Sequence, residues 1–398
     1  MIRHKLNHQL AGLLPHNVIN NCSLYPFVDK HPMEETQSKR RITELDAMKF
    51  LAIVFMITVH IFEFNFNPED FGTALNDVIF FLGGPAAAPA FMFCMGATIM
   101  FSRRKSPMDH IRRGFILLMM GYLLSALNGW ITMSIGYLMG FPTVSADDVI
   151  ELVFIVDILH FAGMSFMLIG VLEKLNVPHW GMMVIALVMQ AFGYVLAGFC
   201  TGNPAVDGFL GLFIKMEFPE SAFPLLNWFI FPVAGMIFSD ILSRSHDHRR
   251  LYVRMLLVGI VMIVLSTAVY LLSGTDVRGF YMVDSYYNQD ILKTMFSLSW
   301  VMIELSLLFF LMSRIQKTSI GDGVTSVVTE VSYSLTTIYF IQWLLIGNIS
   351  DVIYILDYSF ELWLFPVFVI IFVPLCMWAG VKVRSFRDSH RRARSAGS

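Results

Sequence analysis

Cysteine is scarce in this chain: Cys22, Cys94, Cys200 and Cys376 stand far apart, and no two have Cys-x-x-Cys spacing. That pattern argues against a disulfide framework and a thiolate metal centre, and leaves these residues as small apolar packing groups. Charge is scarce too. Only 15% of the 398 residues are Asp, Glu, Lys or Arg, far too few for the surface of a soluble protein of this length. The formal net charge of −2 gives no sign of a polyanionic partner such as nucleic acid. There is no phosphate-binding glycine motif, no long linker, no convincing internal repeat and no soluble catalytic module. No metal is expected.

What the chain has instead is apolar length. Hydrophobic residues make up 56% of it, and the mean hydropathy is +0.64. Runs long enough to cross a hydrocarbon layer of ~30 Å fall at about 43–63, 78–101, 113–137, 149–172, 179–200, 222–243, 251–272, 293–313, 332–350 and 359–381. The expected fold class is therefore all-α: a polytopic integral membrane protein of about ten transmembrane helices. Lys and Arg concentrate in alternate connections, as in Arg103-Arg104-Lys105, Arg112-Arg113 and Arg249-Arg250. Acidic residues such as Glu69, Asp70, Asp147, Asp148, Asp284 and Asp290 mark the others. By the positive-inside rule both termini are expected to be cytoplasmic. Three regions follow: a polar extension at 1–42, whose five-residue apolar patch Leu10–Leu14 is too short for a signal-peptide core; a membrane domain at 43–383; and a basic tail at 384–398 that anchors topology near anionic lipid.

The most informative segment is Glu44 to His60. Ionisable residues inside a spanning helix are expensive and usually functional. Lys49 and His60 are 11 residues apart, close to three helical turns, so they share a face at depths about 16 Å apart. Asp46 and Glu63 extend the stripe by a turn at either end. A second constellation, Asp157 and His160, puts a carboxylate and an imidazole one turn apart in the expected fourth span. That pairing suits acid–base work on a hydroxyl or amine, or a hydrogen bond between helices. Asn128, Asn227-Trp228, Glu304 and Gln342-Trp343 are further candidates for the same cavity. Trp228 and Trp343 also suit interface anchors, and the amides suit helix–helix bonds. Gly83-Gly84-Pro85 through Pro89 predicts a broken start to the second helix and close packing on the first.

These residues resemble a known family. Leu45-Asp46, then Lys49, ten intervening residues and His60, is similar to the opening signature of the transmembrane acyltransferase superfamily. That superfamily includes the type 3 acyltransferases and the heparan-alpha-glucosaminide N-acetyltransferase catalytic domain. Pro89–Gly96, Arg112-Arg113, Asp157–Gly163 and Phe223–Trp228 with Gly235 resemble the latter branch, and Ser332–Tyr339 resembles a segment that both share. The chain departs from the family where Lys49-Phe50 stands in place of Arg-Gly, which keeps the charge but loses the bidentate fork. Glu44 stands where serine is common.

The resemblance implies an enzyme that takes an acyl group, acetyl foremost, from cytosolic acyl-CoA and delivers it to a hydroxyl or amine of a glycan or amino-sugar acceptor at the outer face. The plasma membrane is the expected location. His60 would be the catalytic base or would carry the acyl group itself, with Asp157 and His160 as supporting catalytic residues. Lys49, Arg112 and Arg113, aided by Arg103 and Arg104, would hold the phosphates of the donor. A proton-coupled secondary transporter is the competing reading, but it predicts matched halves, and here the ionisable residues cluster in the first four spans. A membrane scaffold with Lys49 and His60 in an interhelical ion-pair face is the third.

Overall fold

The computed structural model describes residues 41–66, 74–102, 106–282 and 286–396. Almost all of the expected extension, with Cys22, lies outside these residues, as do Arg103, Arg104, Lys105, Glu69, Asp70 and Asp284. From Ile42 onward the chain forms one unit, and among the described residues it is helical with no strands. Among the described residues nine helices are long and apolar enough to cross a membrane: Thr43–Asn65, Ala74–Phe101, Pro107–Leu138, His179–Leu196, Leu225–Arg244, His248–Leu272, Ile291–Ile315, Gly321–Ile355 and Leu362–His390. The protein is a multi-pass membrane protein.

The first helix, α1 (Thr43–Asn65), has Glu44 and Asp46 in its first turn, where the helix dipole favours negative charge. It is the pivot of the bundle. After α2 (Ala74–Gly83), a turn at 84–87 leads into α3 (Ala88–Phe101) with Pro89 in its first turn, as the glycine and proline content predicted. Close packing follows, partly with a different neighbour. A β-carbon on Gly83 would lie 2.5 Å from Val59 of α1, but one on Gly96 would lie 1.8 Å from the Pro232 carbonyl. That carbonyl belongs to α11 (Ile230–Arg244). Gly235 of α11 meets Phe93 in the same way, at 2.0 Å, so α3 and α11 touch backbone to backbone.

The third span is α4 (Pro107–Ser125), a wide turn at Ala126–Trp130, and α5 (Ile131–Leu138). Within the wide turn Asn128 and Gly129 leave helical geometry, Gly129 at φ 153°. A second wide turn, Trp343–Gly347, divides α14 (Gly321–Gln342) from α15 (Asn348–Ile355). The two turns are in contact. A β-carbon on Gly347 would lie 2.0 Å from Asn128 Oδ1, so only glycine permits this approach.

The expected fourth span at 149–172 is not one helix. It divides into α6 (Ala146–Phe154) and α7 (Ile158–Lys174), with an extended link between them. The link is pinned by a neighbouring loop: Val156 N–H donates to Glu220 O at 3.0 Å and Ala222 N–H to Val156 O at 2.9 Å. Unwound backbone inside a membrane protein persists where such partners exist. Next come α8 (His179–Leu196), α9 (Pro204–Leu210), α10 (Leu225–Trp228), α12 (His248–Leu272), α13 (Ile291–Ile315) and α16 (Phe365–Ala396). The last helix runs on through most of the expected basic tail. Helices α2, α3, α13, α14, α15 and α16 all pack on α1, and Met48, Ile57 and Phe62 are fully buried there.

Candidate active site

A cavity of ≈ 250 Å³ lies against the C-terminal half of α1. Its wall brings together the three residues expected to do chemistry: His60, Asp157 and His160. They come from two directions, His60 from the second-to-last turn of α1 and the other two from the unwound start of α7.

Asp157 and His160 are related differently from the sequence expectation. They do not share a helix face, because Asp157 is the N-cap of α7, with extended backbone at φ −114° and ψ −179°. Its carboxylate accepts the Ile158 N–H at 2.6 Å, and the Asp157 N–H donates to His160 Nδ1 at 3.2 Å. This is the reciprocal logic of a capping box, with an imidazole in the role of the third-position acid. Because Nδ1 of His160 accepts, its other nitrogen Nε2 carries the proton. That Nε2 is buried without a hydrogen-bond partner among the described residues, beside Gly121, where a β-carbon would come within 2.9 Å. The Asp157 carboxylate also accepts a very short hydrogen bond from the Tyr339 hydroxyl of α14.

His60 is held from α14 and from the wide turn that follows it. The Gln342 amide nitrogen lies 3.2 Å from His60 Nδ1, and the Trp343 ring is 4.4 Å from the imidazole, tilted by 36°. Nδ1 is thus occupied, and Nε2 is the nitrogen left for the contents of the cavity. Of the other candidates, Asn128 and Trp343 line the cavity, and Gln342 stands behind it. Glu304, Asn227 and Trp228 do not line it. Trp228 is no interface anchor: it is fully buried and donates its indole N–H to Tyr287 O at 3.2 Å. Glu304 is buried on α13, with both carboxylate oxygens lacking a hydrogen-bond partner among the described residues.

Lys49, Arg112 and Arg113 are not part of this cavity. Lys49 is half-buried, 11 residues toward the N-terminus of α1 from His60. Arg112 and Arg113 are exposed on α4, with the Arg113 guanidinium 4.4 Å from the Phe166 ring centre.

The sequence reading did not identify Tyr339, Glu220, Tyr286, Tyr287 or Asp351 as site residues, although all five line the cavity. Tyr339 closes the Ser332–Tyr339 segment that carried the resemblance, and this was the available signal. Glu220 and the tyrosines come from loops without helical periodicity to point to them. Burial pushes the Tyr286 and Tyr287 phenols well above the ordinary tyrosine range, so both keep their protons. The Tyr286 hydroxyl is buried with no partner among the described residues. The wall runs from Met56 to Asp351 and so draws on both halves of the chain.

The fold and site describe a multi-pass membrane protein with an internal acid–base cavity. A family profile described as an acyltransferase domain, that of the type 3 acyltransferases, matches residues 42–381, and the chain belongs to this family. No curated protein matches the chain.

Proposed function

We propose that this acyltransferase moves an acyl group, acetyl foremost, from acyl-CoA to a hydroxyl or amine of a sugar-containing acceptor at the outer face of the plasma membrane. The observation that carries the reading is the convergence of His60, His160, Asp157 and Tyr339 on one buried cavity, in a chain of this family.

His60 Nε2 takes the proton from the acceptor O–H or N–H as that atom attacks the thioester carbonyl. The C–S bond breaks, and the departing thiolate takes the proton back from the imidazolium. The Gln342 amide governs whether this is feasible. With its N–H toward Nδ1, the His60 proton sits on Nε2, which is then a donor. With its oxygen toward Nδ1–H, Nε2 is the base. The Gln342 oxygen is buried and unpartnered while the nitrogen faces His60, and a turn of the amide removes that defect. His160 Nε2–H and the protonated tyrosines supply donors for the thioester oxygen as it gains charge.

Lys49 attracts the phosphates of the donor, with Arg112 and Arg113 as exposed cations on the neighbouring span. Their separation from the cavity suits a long, thin donor whose nucleotide and thioester ends are far apart. The test is binding of acetyl-CoA to purified protein in nanodiscs, comparing wild type with Lys49→Ala and His60→Ala. Weakened binding in Lys49→Ala with binding retained in His60→Ala is the expected outcome. An absence of binding in well-folded wild type defeats the reading and favours transport.

A further inference from the structure

The charge of the cavity wall restricts what can enter it. Glu63, Asp157, Glu220 and Asp351 all line it, and the imidazoles of His60 and His160 are its titratable bases. No Lys or Arg is among its described lining residues, and the undescribed segments 67–73 and 283–285 contain none in their sequence. Lys215, beside the wall, is already engaged: its Nζ is 3.4 Å from the Glu220 carboxylate and 5.7 Å from the Tyr287 ring centre.

The carboxylates differ in how they are held. Asp157 is taken up by Ile158 and Tyr339. Glu220 is fixed through its backbone to Val156. Asp351 keeps a buried oxygen with no partner among the described residues. Across the same space, the Tyr286 hydroxyl and His160 Nε2 are buried, in residues only 4% and 1% exposed, and they too lack partners among the described residues. Unmatched acceptors and unmatched donors around one buried space are what a ligand with both kinds of group, a polyol, would satisfy. The aromatic side chains of Tyr287, Phe223 and Trp343 belong to the same wall, and aromatic rings suit the apolar face of a sugar ring. An anionic group, by contrast, would be stripped of water beside four carboxyl groups with no guanidinium or ammonium among the described lining residues to meet it, Lys215 being held by Glu220.

We propose that the acceptor is a sugar without negative charge, neutral or amino, and that Glu63, Glu220 and Asp351 are specificity determinants that turn uronates and sugar phosphates away. This rests on the acyl-transfer reading for its chemistry, but not for its binding preference. Saturation-transfer NMR on the protein in nanodiscs measures binding of the methyl glycosides of glucose, glucosamine and glucuronic acid. Labelled acetyl-CoA measures transfer to the same three.

Glucuronate is expected to bind at least about tenfold more weakly than the other two, a like-charge penalty in a protein cavity being of this size or larger. In Glu63→Gln, Asp351→Asn and their double variant the gap should narrow. Circular dichroism and retained acetyl-CoA binding show which variants fold, and each single variant suffices if the double does not. Glucuronate binding as tightly as glucoside, or failure of all three to bind, overturns the proposal. Binding in the expected order without transfer overturns the acyl-transfer reading alone.

Discussion

The two ends of α1 carry similar residue types and use them differently. Near the N-terminus, Glu44 accepts the Tyr252 hydroxyl of α12 at 2.7 Å and Asp46 accepts the Ser332 hydroxyl of α14 at 2.5 Å. These carboxylates are consumed by neighbouring helices and tie the bundle together. Near the C-terminus, Glu63 and His60 face a cavity, and the imidazole uses one nitrogen on Gln342. A polar residue in a spanning helix is thus either a staple or a tool. What separates the two is whether its neighbours leave any hydrogen-bonding capacity unused.

This contrast can be broken in graded steps. His60→Ala should have the largest effect, lowering transfer by about 10²–10⁴-fold, the usual worth of a general base, with little change in melting temperature; a thermal melt beside an acetyl-transfer assay checks both. Tyr339→Phe leaves the Asp157 carboxylate short of a donor, at a cost of about 1–3 kcal/mol, and should lower both stability and turnover. If only stability falls, Tyr339 belongs with the staples.

Gln342→Leu should reduce kcat by about tenfold through loss of the His60 tautomer. Gln342→Glu, which can only accept from Nδ1–H, should restore most of the loss, and a steady-state comparison of the pair separates tautomer control from packing. Lys49→Ala should raise the apparent KM for acyl-CoA by about tenfold, the order of one charge-assisted contact, with kcat nearly unchanged. Arg113→Ala should be smallest, with stability falling by about 0.5–1 kcal/mol for an exposed cation over a ring, here that of the buried Phe166, read from denaturant melts in detergent.

The spanning helices were legible because each is a local property of some twenty residues, and Lys49 and His60 were legible because helical period alone sets their spacing. The break at Asp157 was not. Residues 149–172 are apolar enough for one span, and it is the loop at 220–222, more than sixty positions later, that captures Val156 and leaves Asp157 to cap α7. Nor could the sequence separate Asp46 from Glu63, because Ser332 satisfies the former from a distant helix. Periodicity reads a single helix well; the allocation of its polar groups depends on partners that have no fixed spacing from it.

The hydrogen bond between Tyr339 and Asp157 spans 182 positions, and this bears on how the protein is made. During synthesis the first four spans reach the membrane while the segment bearing Tyr339 is still to be translated. His60 and the Asp157 carboxylate must wait through that interval without Gln342 and Tyr339, in a bilayer that offers them no substitute. The site therefore completes only after the span Gly321–Ile355 arrives. A ribosome stalled before residue 339 should hold an inserted chain whose Asp157 region remains open to water-soluble modifying reagents, and release past Gly347 should close it.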